Sequence, residues 1–520
     1  MHENREISST PSGRCEGRSA KATSRTADTH VLEKSDCAVL PMNRPNKGGQ
    51  LSAEVGEGRA RMKENIDQSH MLPTQSGKGV SQGLDGVRKA ARERRQERFT
   101  ALLHHLNINL LRESFYALKR GASPGVDGMR WAEYETDLEE RIRDLHGRVH
   151  RGTYRAQPSR RVYIPKADGR QRPLGVAALE DKVVQQAVVT ILNQIYEVDF
   201  KGFSYGFRPG RGPHQALDAL AVGLERKKVN WVLDADIRGF FDNLSHEWTV
   251  KFLEHRVADR RIVHLVQKWL RAGVSEDGQW SETKQGTPQG AVASPLLANV
   301  YLHYVFDLWA DVWRRKAARG DVIIVRYADD LVLGFQQLAD ARRFLDEFKE
   351  RLAKFGLELH PEKTRLIEFG RYAARDRKRR GEGKPETFDF LGFTHYCGQR
   401  HKTGTFTVWR MTAKRRRTAK LKIISAELKR RKHDSVTQTG TWLRKVVFGY
   451  YQYHAVPGNI DRLRVFRFRI NRLWRGVMTR RSQRARKRWE LLTPIFERWL
   501  PYPRTLHPYP DARFYATHPS

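Results

Sequence analysis

Cysteine is nearly missing from this 520-residue chain: Cys15, Cys37 and Cys397 stand far apart and form no CxxC pair. A disulfide framework and a zinc knuckle therefore find no support, and a reducing compartment, the cytoplasm, is expected. No run of roughly 18 apolar residues occurs, as a membrane span would need, and mean hydropathy is −0.68. The N-terminus lacks the charged-then-apolar pattern of a secretory signal. Glu3, Glu6, Glu16 and Asp28 also occupy a region that a transit peptide keeps poor in acids. Acids are the scarce charge throughout, 59 Asp and Glu against 96 Lys and Arg, for a formal net charge of +37. No internal repeat is evident.

Such a positive excess needs a polyanion, and nucleic acid is the first candidate. An anionic membrane is the second, but the chain offers no amphipathic anchor. Hydrophobic residues make up 39% of the chain and 12 are Trp, enough for real cores. The length allows three or four domains, or one large enzyme of several parts. Charge alone leaves a catalyst and a passive coat both open.

Residues 1–92 are rich in Ser, Thr, Gly, Arg and Lys without periodicity, and read as a disordered or weakly ordered extension. Folding is expected to start near Phe99, with helical spacing that runs to Gly121, then a Gly/Pro-punctuated loop over 121–128. A helix follows over 179–196, with Val183, Val184, Ala187, Val188, Ile191, Leu192 and Ile195 on one face. WVLDADI (231–237) and VIIVRYADDLVLGF (322–335) read as buried strands. Between them 294–313 reads as a helix, with Ser294 as N-cap, Pro295 at N1, and Leu297, Tyr301, Val305 and Trp309 four apart. Long basic helical patterns occupy 409–432 and 462–489, before a Pro-punctuated tail expected to be extended.

Asp329 and Asp330 lie between two apolar strand-like runs, IIV and LVLGF. Adjacent acids at a hairpin tip repel one another, and a divalent cation offsets that cost. A solvated turn is the alternative. Asp236 closes a second apolar strand. Acids from neighbouring strand ends can hold two Mg²⁺ ions roughly 3.5–4 Å apart, the clamp used for in-line nucleotidyl transfer.

Context favours the clamp. Phe241 stands five residues after Asp236 in DADIRGFFD, and TPQG and then YADD follow in order. These motifs look like those of reverse transcriptases. RRVYIPKADGRQRPLGVAALEDKVVQQAV, FSYGFRPGRGPHQAL, DADIRGFFDNLSH, GTPQGAVASPLLANVYLH, RYADD, GLELHPEKTRLIEFG and FDFLGF resemble, in that order, the blocks of group II intron-encoded reverse transcriptase/maturases. The likeness runs from about residue 95 to 395 and more weakly to about 490.

The resemblance implies an α/β right-hand polymerase: fingers and a palm with an antiparallel sheet, then an α-helical thumb or maturase domain. The implied parts are an N-terminal extension (1–92), fingers (93–230), palm (231–398), a basic helical thumb (399–495) and a tail (496–520). Asp236 and Asp329 match the metal-binding carboxylates, and Asp330 the third acid of the YADD box. Lys166 and Arg172 match residues that grip the incoming triphosphate, a role suited to two cations on a short hairpin. Phe241 matches the aromatic gate that excludes a ribose 2′-hydroxyl, with Phe240 the better core candidate; a core position for Phe241 is the alternative. Gln289 matches a residue beside the incoming nucleotide and could equally cap its loop. Lys363 matches the palm lysine thought to protonate pyrophosphate, or caps a turn. FDFLGF (388–393) resembles the primer grip, and also suits a core hairpin.

Past the palm-like blocks, Arg464, Arg467, Arg469, Arg472 and Arg475 interleave with Phe466, Phe468 and Trp474. Such interleaving suits a surface that tracks an RNA backbone and offers stacking platforms, rather than a merely solvated face. The resemblance implies as partners the parent group II intron RNA, an RNA template with a DNA primer, dNTPs and target DNA. A homodimer stays open, a membrane does not, and the expected location is the cytoplasm, at the nucleoid. Family members with a DNA endonuclease carry Cys pairs near the C-terminus, whereas no Cys follows Cys397, so cleavage of the second strand is not expected. A catalytically inactive splicing cofactor and a reverse transcriptase of another bacterial retroelement are the alternatives.

Overall fold

The computed structural model describes residues 75–165, 171–400, 403–480 and 489–517. Among these, eleven strands are interspersed with helices: β1 (Ser159–Pro165), β2 (Gln171–Val176), β3 (Trp231–Asp236), β4 (Val274–Glu276), β5 (Gln279–Ser281), β6 (Val322–Tyr327), β7 (Asp330–Phe335), β8 (Arg365–Glu368), β9 (Phe388–Phe390), β10 (Phe393–Gln399) and β11 (Phe406–Thr412). They form three sheets, of order β2-β1-β4-β5, β6-β7-β3-β8 and β11-β10-β9. The central sheet, β6-β7-β3-β8, is antiparallel throughout.

Both faces of the central sheet are covered, which is why its strands read as near-continuous apolar runs. Side chains alternate across the pleat. Leu233, Ala235, Ile324, Leu331 and Leu333 point into a large helical core, together with the buried face of the helix Leu179–Asp199. Val232, Val325, Val332 and Ile367 point the other way, onto Phe388, Phe390 and Phe393 of the β9–β10 hairpin. The helical face expected over 179–196 is buried at every named position. A third core lies in the C-terminal helices Lys414–Arg430, Val436–His454, Ile460–Thr479 and Trp489–Trp499.

The tip between β6 and β7 has only two residues, Ala328 and Asp329, because Tyr327 and Asp330 are ladder partners. Ala328 adopts φ +57°, a left-handed conformation that a glycine usually supplies at the first position of such a turn. Its carbonyl accepts from Arg326 Nη1 at 3.1 Å, and Arg326 also donates to Asn299 Oδ1 at 3.0 Å. Asp307 grips the same guanidinium with both oxygens, at 2.7 and 2.6 Å, and neither side chain is exposed at all. Asp307 is positioned by a π-helical turn, His303–Asp307, that interrupts the helix expected over 294–313. Burial pushes the His303 imidazole beside it down to about 4, so Arg326 is the charge that balances Asp307 near neutral pH.

Other elements depart from expectation. The boundary at 92 falls inside a helix, Gln75–Glu93, whose Leu84, Val87 and Ala91 recur at helical spacing and are buried. Residues 1–74 lie outside the described residues. The helix expected from Phe99 is broken: a 3-10 turn, Leu103–His105, precedes Ile108–Ala117, which begins where Asn107 accepts from Leu110 N at 2.9 Å. Ser294 does not cap its helix; it lies inside, and its hydroxyl donates to Pro288 O at 3.0 Å. The basic pattern over 409–432 begins as strand, because Trp409 to Thr412 complete β11, so the boundary at 399 splits a sheet. The tail is not wholly extended: Pro510–Thr517 is a helix seated on Pro213–Arg226, where Arg513 and Arg410 both pair with the buried Asp218.

Removing one partner of a buried ion pair strands the other charge in a medium that cannot solvate it. Asp307→Ala should therefore lower the unfolding free energy by about 3–5 kcal/mol, read as a fall in the urea midpoint at unchanged slope.

Candidate active site

Asp236 ends β3 and Asp330 begins β7, and the two are directly opposite in the ladder. Residues so paired present their side chains on one face. Both are almost fully buried, and Asp329 sits half-buried in the turn beside them. The end of β3 is paired with the 357–363 segment: Ile237 and Leu359 form an antiparallel bridge, and His360 N donates to Asp236 O at 2.8 Å. That segment brings Lys363 to the site: its Nζ donates to Asp236 Oδ2 at 2.9 Å. The three acids, 94 residues apart in sequence at their extremes of 236 and 330, thus share one sheet edge with a lysine.

These carboxylates are hard oxygen donors, the type a divalent metal of the Mg²⁺ kind prefers. Among the described residues no three acidic, imidazole or thiol groups form a ready-made metal cage. A small cation of this kind takes only one or two protein carboxylates and completes its shell with water and substrate phosphate. The donor set therefore fits a metal that arrives with a nucleotide.

A second cluster joins the β1–β2 hairpin to the loop that holds Gln289. Arg172, paired with Ile164 in the ladder, donates from Nε to Gln289 Oε1 at 2.8 Å. Gln289 also accepts on its backbone oxygen from Gly175 N at 2.8 Å, so the loop holding it is fastened to β2. Gly175 and Pro288 approach so closely that a Cβ on Gly175 would lie 2.6 Å from the proline Cβ. The turn after Asp236 is fastened to the same loop, with Thr287 N donating to Phe241 O at 2.8 Å and Gly286 N to Leu244 O at 2.7 Å. Phe241 is 7% exposed, edge-on to Phe240 and Phe207, while Phe240 is more deeply buried against Tyr301. Lys166 lies outside the described residues.

The β9–β10 hairpin places FDFLGF against the central sheet. Its tip residue Leu391 has φ +47°, and its carbonyl accepts from Tyr453 OH at 2.7 Å.

The C-terminal module corrects one expectation. Phe466 and Trp474 are fully buried, on the inner face of Ile460–Thr479 with Leu463 and Ile470, and are core rather than platforms. Helical periodicity decides this, since 463, 466, 470 and 474 share a face. Phe468 is 51% exposed, next to the exposed Arg464, Arg469 and Arg472. Arg467 lies over the Tyr502 ring at 3.8 Å and Arg475 over Trp489 at 5.3 Å.

A ladder pair of acids thus stands at the end of a tight hairpin, with an arginine-bearing hairpin fastened to the turn that follows Asp236. Residues 164–395 match the family "Reverse transcriptase (RNA-dependent DNA polymerase)". The chain is 33% identical over 305 residues to Protein YkfC of Escherichia coli strain K12, covering 51% of this chain and 79% of that protein. It is 36% identical over 230 residues to the group II intron-encoded protein LtrA of Lactococcus lactis subsp. cremoris, covering 42% of this chain and 37% of LtrA. A third relative is the "Uncharacterized 91 kDa protein in cob intron" of Schizosaccharomyces pombe, 39% identical over 146 residues, 28% of this chain and 18% of that one. This chain belongs to the group II intron-encoded reverse transcriptases.

Sequence reasoning missed the support beneath the acids. Gly206 in FSYGF is in backbone contact with the β6–β7 turn: a Cβ there would meet Ala328 N at 2.3 Å. Its carbonyl accepts from Asn299 Nδ2 at 2.8 Å, and its segment runs along β6, with Tyr205 N donating to Arg326 O at 2.9 Å. A glycine flanked by aromatics was the available signal. Since a displacement of about 1 Å at a reacting centre can cost about 100-fold, Gly206→Ala should lower kcat for primer extension by at least about tenfold, at a KM for dNTP little changed.

Proposed function

We propose that this protein is the RNA-directed DNA polymerase of a group II intron, which also binds that intron's RNA, assists its splicing and supports its retromobility. The observation that supports this best is the ladder pair Asp236 and Asp330, with Asp329 in the turn between β6 and β7. In this reading the central sheet is the palm, the β1–β2 hairpin the fingers, and the C-terminal helices the thumb or maturase domain.

Asp236 and Asp329, with Asp330 beside them, would hold two Mg²⁺ ions. When bound, these would acidify the primer 3′-hydroxyl and neutralise charge on the triphosphate. The chain's own groups do the rest. Arg172, with Lys166, binds the triphosphate of the incoming dNTP, and Gln289 orients Arg172 through the 2.8 Å bond. Phe241, held edge-on between Phe207 and Phe240, is too constrained to yield to a 2′-hydroxyl. Lys363 holds a proton at Nζ, within 2.9 Å of Asp236, ready for the departing pyrophosphate. FDFLGF seats the primer end on its template RNA. Arg464, Arg469 and Arg472 offer exposed charge to RNA phosphates beside Phe468, while Arg467 and Arg475 brace Tyr502 and Trp489. Target DNA would use the same duplex-holding surface. Among the described residues no helix is long and apolar enough to cross a membrane.

With poly(rA)/oligo(dT), Mg²⁺ and dTTP the protein should extend the primer, and Asp329→Ala should reduce extension by at least about 1000-fold while RNA binding persists. Failure of the folded parent protein to extend would leave only the splicing cofactor. Phe241→Ala should relax discrimination against ribonucleotides by about tenfold or more, measured as the ratio of kcat/KM for dTTP and UTP.

A further inference from the structure

Gln289 stands between one residue that only donates and one that only accepts. Its carbonyl Oε1 takes the Arg172 Nε hydrogen at 2.8 Å, and its Nε2 donates to both carboxylate oxygens of Asp242, at 3.3 and 3.4 Å. An amide turned over would set its NH₂ against a guanidinium and its oxygen against a carboxylate, losing both contacts. The backbone that carries Asp242 is held in place. Its turn is fastened to the Gln289 loop by the bonds from Gly286 N and Thr287 N, and Gly286, at φ +85°, is so close that a Cβ there would lie 2.7 Å from Asp242 O. The residue just before it is Phe241.

We propose that Asp242 is a positioning residue for the incoming nucleotide: it fixes the Gln289 amide with its carbonyl toward Arg172, and so fixes the direction in which Arg172 presents its guanidinium. This rests on the reading of Arg172 and Gln289 as nucleotide-site residues. Without the carboxylate, the amide turns freely, its NH₂ competes for the arginine's place, and the guanidinium loses its orientation before the nucleotide arrives. Ground-state binding of the triphosphate weakens, while the carboxylates at 236 and 329 and the lysine at 363 are untouched. Asp242 therefore acts on KM and leaves kcat nearly alone.

The test is steady-state primer extension by the full chain, with Asp242→Asn, Gln289→Ala, Arg172→Ala and the double variant Asp242→Asn/Gln289→Ala. An amide at 242 keeps the size of the side chain and can present its own NH₂, so it no longer dictates which way Gln289 faces. Asp242→Asn should raise the KM for dTTP about fivefold, the worth of one ordinary hydrogen bond, with kcat within about twofold. In the Gln289→Ala background the same substitution should add almost nothing, since the group it acts through is gone. Asp242→Glu, which keeps the acceptor, should recover much of the affinity. If Asp242→Asn leaves KM unchanged while Gln289→Ala and Arg172→Ala raise it, the positioning role is overturned and the nucleotide site stands. Equal and additive effects of Asp242→Asn with and without Gln289 also overturn it. If neither Gln289→Ala nor Arg172→Ala alters KM, the nucleotide-site reading fails and the role of Asp242 falls with it.

Discussion

The Arg326–Asp307 pair is the interaction on which the site depends. A guanidinium and a carboxylate, both fully buried, are costly to desolvate, and their mutual attraction only offsets that cost when the remaining hydrogen bonds are made. Here they are. Arg326 spends its other donors on Asn299 and on the carbonyl of Ala328, and its backbone carries the FSYGF segment. The conformational strain of a left-handed alanine is thereby held from below by a charge that has nowhere else to go. The hairpin can present Asp329 and Asp330 because Arg326, within its own strand, and Asp307, from a helix outside the motif, hold its backbone in place.

The acids themselves face a similar balance. Asp236 and Asp330 are nearly buried and face one another across a ladder, an arrangement that repels. Lys363 supplies one positive charge to that edge. A cation bound by Asp236 would compete with the lysine for its Oδ2 oxygen.

The chemistry of the site was more legible in the sequence than its support. Asp236, Asp329 and the TPQG loop announce themselves because acids between apolar strands, and Gly and Pro around a lone polar residue, break local patterns. The helix over 179–196 and the strands of the central sheet were equally plain, since burial imposes regular spacing. Arg326 and Asp307 were not: each is an ordinary charge in its own segment, 19 residues apart, and only the fold shows that they meet. The π-helical turn that aims Asp307 leaves no composition signal. Phe466 and Trp474 misled because interleaving with arginine looks the same in sequence whether a ring points outward or into a core. The helix Gln75–Glu93 was hidden by its sparse apolar residues, which suffice only because a core awaits them.

Asp218 joins two arginines that arrive at very different times during synthesis. Arg410 and Arg513 lie far downstream of it, the latter by 295 residues. Contacts so distant in sequence close the largest loops of a fold and carry the greatest entropic delay. Asp218 is buried under the Pro510–Thr517 helix, so the helix Pro213–Arg226 waits, with one of its acids half-satisfied, until the ribosome has passed Arg513. A chain shortened before that point would keep the segment 164–395 intact and leave Asp218 paired with Arg410 but without Arg513. The effect of such a loss would appear at the helix that covers the central sheet, 295 residues from where the chain was altered.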